Sequence, residues 1–368
     1  MTAPTLLVSQ SGQLTQGLSA IVSPHSDGPV TTFVTDRPED NQYYFSPTTV
    51  EAVEQRCSDS DNGPVTVVVD GEMHPGQSVD LQTRLSPVTV RDKRAAVWEW
   101  LGEANPVAAT CLELQQARIA RRAAAAEQRD AAEQGPSGTS GSVTAHDERI
   151  QELRDTLEKR RTAARQRVQT SYSSVDGRVV LLGRVSAPTT PIWAALTETT
   201  ATATVGRPAQ PTTATATVGP HTLAVTDTPG ILGSHGVPDW LQNALPGLTA
   251  AIEQATCVLG VGEGCETLLT AVAEEFDVRC RTLPSDTESA ARDALDTLLE
   301  TSEFAVKLPY SDAAHALVSD LHGEATVHAT EYDDAIYVRV EVSQATARDL
   351  HRRVSEVDGD VQPYNSSE

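Results

Sequence analysis

Lysine is nearly missing from this chain: Lys93, Lys159 and Lys307 are the only three in 368 residues, so the positive charge is almost all arginine. Against 28 Lys and Arg stand 51 Asp and Glu, a formal net charge of -23. Such a carboxylate-rich surface stays hydrated in concentrated salt, where self-repulsion is screened. The acidity therefore reads as an adaptation to solvent and not as a code for a partner. Cysteine is also sparse. Cys57, Cys111, Cys257, Cys265 and Cys280 include no C-x-x-C pair, which argues against a disulfide scaffold or a zinc site and fits a reducing compartment. No run of about 18 apolar residues occurs, and the first residues lack the basic and apolar regions of a signal peptide. A soluble, cytoplasmic protein without a membrane span is expected.

A further absence falls in the stretch on which the reading turns. Gly177 to Leu196 reads GRVVLLGRVSAPTTPIWAAL, a short apolar strand, a turn opened by Gly183 and a helix. That is where a phosphate-binding loop of pattern G-x-x-x-x-G-K-[ST] would sit, its backbone N–H groups wrapping phosphates, its Lys reaching the outer phosphates and its hydroxyl on Mg²⁺. Here the pattern positions are Gly183, Pro188, Thr189 and Thr190, with Ala187 before the proline. Proline replaces the second glycine and threonine replaces the lysine. An alternative reading makes Thr190-Pro191 an ordinary N-cap and first helical position. Downstream, HTLAVTDTPG is a strand ending in Asp227 and Gly230, where a nucleotide hydrolase would hold Mg²⁺ and sense the terminal phosphate; alone, it is also common turn chemistry. No N-K-x-D segment is present to read a guanine base. Gly260, Gly262 and Gly264 read as a strand-end turn, and His315, His322 and His328 are assigned no chemistry.

The length predicts about two to four domains, and the pattern of segments divides into four. Residues 1–105 alternate strand and helix signals and form a small α/β domain. Residues 106–173 are rich in Ala, Gln, Glu and Arg and predict a long antiparallel helical hairpin, interrupted at GPSGTSGS. Between Arg118 and Arg167 this hairpin carries eleven Lys or Arg against eight Asp or Glu, the reverse of the chain as a whole. Residues 174–302 predict a P-loop NTPase-like α/β domain in which Thr197 to Thr217 is a loop. Residues 303–362 form a small α+β domain followed by a polar tail. The hairpin admits two readings: a solvated or dimerising coiled coil, or an arm that contacts phosphates. Its candidates for RNA contact are Arg118, Arg121, Arg122, Lys159, Arg160, Arg161, Arg165 and Arg167.

The order of these parts resembles the HflX family of ribosome-associated GTPases, from about residue 60 to about residue 350. The resemblance is carried by Val69-Asp70-Gly71-Glu72 with Pro75-Gly76-Gln77, the helical hairpin with Gly135-Pro136 at its tip, the strand VVLLG, Pro211-Thr212-Thr213, Thr226-Asp227-Thr228-Pro229-Gly230 and KLPYSD. It implies a protein that binds GTP and Mg²⁺, hydrolyses GTP and associates with the RNA of the large ribosomal subunit; a monomer is expected. It also implies that Gly183, Ala187, Pro188, Thr189, Thr190, Asp227 and Gly230 line the nucleotide, and that Thr190, Asp227 and Thr204 or Thr212 stand on the metal side. No catalytic residue is assigned. Pro188 has no N–H to offer a phosphate, and Thr189 removes the positive side chain. A charge-assisted contact contributes about 1.5–3 kcal/mol, so its loss costs roughly one to two orders of magnitude in affinity. The expectation is a chain of this architecture with GTP binding weakened or lost. The alternatives are an active ribosome-associated GTPase and a coiled-coil adaptor that binds neither nucleotide nor RNA.

Overall fold

Five consecutive buried residues, Thr5–Ser9, form strand β1, and burial on both faces is what the interior of a parallel sheet demands. The computed structural model describes residues 4–26, 28–36, 40–59, 65–102, 104–134, 140–170, 175–199, 209–233 and 235–364. After β1 come α1 (Leu18–Val22), β2 (Val30–Val34), α2 (Pro47–Ser58), β3 (Thr66–Val69), α3 (Pro75–Arg84), β4 (Thr89–Asp92) and α4 (Lys93–Leu101). The four strands pair in parallel in the order β2-β1-β3-β4. Helix starts follow local chemistry. Ser46 accepts a hydrogen bond from the Thr49 N–H ahead of Pro47, and Asp92 accepts from Ala95 at the head of α4. Leu6, Val8, Phe45, Val53, Val67 and Leu81 belong to the core of this layer.

The family-like segment around Asp70 is explained by packing. Asp70 is buried and accepts from the Thr15 N–H and hydroxyl, both at 2.6 Å, with Lys93 Nζ at 3.5 Å. A side chain at Gly71 would collide with the Tyr44 hydroxyl. Gln77 takes the His74 N–H at 2.9 Å and donates to the Asp40 carbonyl at 3.0 Å, closing the start of α3.

The hairpin is α5 (Pro106–Gln134) and α6 (Ser140–Thr170). Ion pairs Arg149–Glu113 and Arg121–Asp147 run between the two helices, and their order along the chain makes the pair antiparallel. Gly135-Pro136, the expected tip, lies outside the described residues.

Next come β5 (Gly177–Gly183), α7 (Thr189–Thr197), β6 (Thr212–Val218), β7 (His221–Asp227), α8 (Asp239–Ala244), α9 (Pro246–Glu253), β8 (Cys257–Val261), α10 (Glu266–Phe276), β9 (Arg279–Thr282) and α11 (Glu288–Leu298). Their five-stranded sheet has the order β6-β7-β5-β8-β9, parallel except for the edge strand β6. The expected loop over Thr197 to Thr217 is therefore corrected at its end. Thr212–Val218 alternates β-branched threonine with alanine, and a pleated edge accepts that pattern without an apolar face on both sides.

The remaining elements are β10 (Thr301–Leu308), α12 (Asp312–Glu324), β11 (Thr326–Tyr332), β12 (Ile336–Ser343), α13 (Gln344–Glu356) and β13 (Asp360–Pro363). They make an antiparallel sheet of order β11-β12-β10-β13 over a core that includes Phe304, Val306, Leu317, Leu321, Val338 and Val340. Strand β13 pairs antiparallel with β10, and its Val361 packs against the core of this sheet. The chain divides into two compact units: one of Met1–Gln169, Arg184–Ala187 and Pro229–Ala250, the other of Thr170–Gly183, Pro188–Thr228 and Ala251–Glu368. No helix among the described residues is long and apolar enough to cross a membrane.

Candidate functional site

Strands β5 and β7 are neighbours in parallel register, with Leu181 opposite Asp227, so both carboxyl ends open on the same edge of their sheet. Open α/β sheets bind ligands at such ends. Gly183 ends β5, and α7 begins at Thr189 with Pro188 as its N-cap residue and no side-chain cap. The helix thus starts two residues earlier than the Thr190-Pro191 cap reading expects, and Pro191 falls inside its first turn.

Thr190 and Asp227 meet: the Thr190 hydroxyl donates to Asp227 Oδ2 at 2.6 Å. Asp227 is only 1% exposed, and its Oδ1 is buried without a hydrogen-bond partner. Burial pushes the Asp227 pKa above the ordinary carboxylate value, against the opposing pull of the Thr190 hydroxyl. Thr228 fixes the strand end by donating its hydroxyl to the Leu181 carbonyl at 2.7 Å. Thr189, at the lysine position, is buried and gives the site no charge.

Two of the N–H groups between β5 and α7 are taken by backbone carbonyls. Val185 N–H donates to the Ile231 carbonyl at 3.0 Å and Ala187 N–H to the Arg184 carbonyl at 2.9 Å. A working loop offers successive backbone N–H groups to phosphate, and Pro188 has none. Ser186, with a φ of 83°, takes the left-handed conformation that the tight turn requires. Arg184 is buried and its guanidinium donates to the Gly233 carbonyl. Gly230 is required for close approach: a Cβ there would lie 2.8 Å from Val185 Cα and 3.0 Å from the Arg184 carbonyl oxygen.

Within the second unit Thr189 offers a phosphate no positive side chain, and within the first the N–H groups of Val185 and Ala187 are taken by carbonyls. Mg²⁺ would find the Thr190 and Asp227 oxygens, but such a site takes the rest of its octahedral shell from phosphates and water. Thr204 lies outside the described residues. Thr212 sits in the edge strand β6, in register with Asp227, and its neighbour Thr213 shares a hydroxyl hydrogen bond with Thr226 at 2.9 Å.

The hairpin cations divide into two groups. Arg160 donates to the Pro106 carbonyl at 3.0 Å and Arg161 to the Asn243 carbonyl at 3.0 Å, while Arg121 pairs with Asp147 at 2.9 Å, so these three hold structure. Arg118, Arg122, Lys159, Arg165 and Arg167 are exposed. One cluster carries no signal in the sequence: His328 Nε2 lies 3.2 Å from Glu341 Oε2 and 3.9 Å from Glu303 Oε1. Glu303 and Glu341 face each other across β10 and β12, a pairing visible only once the register is known.

No family model and no curated protein matches the chain. Among solved structures it is similar to SsGBP in complex with GDP, at 15% identity over 76% of this chain and 79% of that one, with a TM-score of 0.41. It is also similar to a GTP-binding protein from the hyperthermophilic archaeon Sulfolobus solfataricus in complex with GDP, at 13% identity over the same shares and a TM-score of 0.38. Likeness at that level carries no argument for fold or chemistry.

Proposed function

We propose that this chain is an HflX-like protein that keeps the architecture of a nucleotide switch, binds guanine nucleotide weakly or not at all, and acts as a monomeric binding module for RNA of the large ribosomal subunit. The observation that carries this reading is the closed turn after β5. Val185 and Ala187 donate to carbonyls of the chain, Pro188 has no N–H, and buried Thr189 replaces the lysine. GTP and Mg²⁺ would be cofactors only for a chain able to reopen that turn.

The RNA side of the proposal is supported by the contrast in charge. In a chain of net charge -23, Arg122, Lys159 and Arg165 are exposed on the hairpin and have no ion-pair partner among the described residues. Cations of this kind contact phosphates without reading sequence.

Co-sedimentation with purified large ribosomal subunits, at several salt concentrations, tests it. The chain is expected to pellet with the subunit, and the triple variant Arg122→Glu, Lys159→Glu, Arg165→Glu to stay in the supernatant while remaining monomeric. A chain that never pellets, and whose triple variant changes only its oligomeric state, is the coiled-coil adaptor instead.

A further inference from the structure

Within the first unit, α3, α4, α5, α6 and α8 line a cleft of about 670 Å³ that is open to solvent on one side, within the size range of small-molecule sites. Its walls carry Arg94, Arg118, Arg154 and Arg161 together with Trp98 and Trp240. Two of these guanidiniums are neutralised inside the fold. Arg94 pairs with Asp92 at 2.9 Å and donates to the Met73 carbonyl, and Arg161 pairs with Glu158 at 2.7 Å. Arg118 and Arg154 have neither a carboxylate nor a hydrogen-bond acceptor among the described residues, although the chain holds 51 Asp and Glu. Asp155, the other acid on the wall, accepts from Gln151 at 2.9 Å.

The unpaired cations sense one another. The Arg118 pKa is held below its ordinary value by partial burial, then by the charges of Arg154 and Arg94. A second, independent observation comes from the aromatic wall. Trp98 is only 8% exposed, yet its Nε1–H is buried without an acceptor. Buried indole N–H groups ordinarily find one. Trp240 stands edge-to-face with it, the ring centroids 6.2 Å apart.

We propose that this cavity binds a small phosphate monoester on a planar ring, its phosphate held by Arg118 and Arg154 and its body lying against Trp98 and Trp240. Two guanidinium forks match the charge and geometry of a phosphate dianion. The unused indole N–H supplies a donor to a polar atom of the ligand. The site uses neither the turn after β5 nor the outward hairpin residues Arg122, Lys159 and Arg165, so it stands or falls independently of the function proposed above.

Calorimetric titration of the full chain, with tryptophan fluorescence as a second signal, tests the proposal. The probes are phenyl phosphate, inorganic phosphate, phenol and a single-stranded RNA lacking a terminal phosphate. Phenyl phosphate is expected to bind and perturb the fluorescence, inorganic phosphate to bind more weakly, and phenol not to bind. Arg118→Gln and Arg154→Gln are each expected to weaken phenyl phosphate by about tenfold or more, the scale of one charge-assisted contact, with unchanged circular dichroism. Trp98→Phe, which keeps a ring but removes the donor, should weaken it less. The proposal is overturned if phenyl phosphate fails to bind, if phenol binds as well as phenyl phosphate, if both arginine variants bind it like wild type, or if the RNA binds through Arg118 while phenyl phosphate does not.

Discussion

Asp227 concentrates the account at the scale of single residues. Its Oδ2 takes the Thr190 hydroxyl, its Oδ1 has no partner, and burial raises its pKa. The sign of the resulting pH dependence follows from linkage. A carboxyl whose folded pKa lies above its unfolded value contributes stability that is fully present below the unfolded pKa and is lost as pH rises through the folded one. Asp227→Asn keeps an oxygen for Thr190 and removes that loss. The variant is expected to melt higher than wild type at pH 7 and to converge with it near pH 3, as followed by thermal denaturation across that range. A lower melting temperature at pH 7 would mean that a cation or donor compensates the charge. Gly71 makes a separate prediction. Gly71→Ala drives a methyl into the Tyr44 hydroxyl, and overpacking of this kind costs about 1–3 kcal/mol, measurable by urea denaturation.

Among the elements, the join between β5 and α7 shows how much the sequence exposes. The apolar run VVLLG announced its strand, and Pro188 and Thr189 announced the loss of an N–H and a charge. What the sequence hid was the fate of the remaining donors, because the carbonyl that takes the Val185 N–H, Ile231, is remote in the chain. Thr212–Val218 reads as loop because threonine and alanine carry little apolar signal, and β13 escapes the pattern because its four residues hold one apolar core position, Val361. The arginine cavity was illegible for a similar reason: Arg94, Arg118 and Arg154 come from three different helices and meet only in the fold. If the closed turn is what excludes nucleotide, its chemistry can be partly restored. The double variant Pro188→Gly, Thr189→Lys returns an N–H and a cation, and is expected to gain roughly ten- to hundredfold in GTP affinity over wild type. Equilibrium dialysis with radiolabelled GTP and Mg²⁺ checks this, and equal affinities would place the block elsewhere in the turn.

For the molecule as a whole, the charge of -23 governs behaviour. Self-repulsion of the carboxylates opposes the compact state and salt screens it, the Debye length falling from about 10 Å at 0.1 M to about 3 Å at 1 M. Melting temperature is accordingly expected to rise between 0.1 M and 3 M KCl, as calorimetry would record; a flat or falling curve would contradict the reading of the acidic surface. Molar salt also weakens RNA contacts by counterion release, so the proposed ribosomal binding is to be tested at the salt in which the fold is most stable. The central claim is that this chain keeps the architecture of a nucleotide switch without its nucleotide site, and titrating the full-length protein with fluorescently labelled GTP and Mg²⁺ at that salt tests it most directly. The account predicts no saturation below millimolar nucleotide and no steady phosphate release, whereas micromolar binding, with or without turnover, would contradict it.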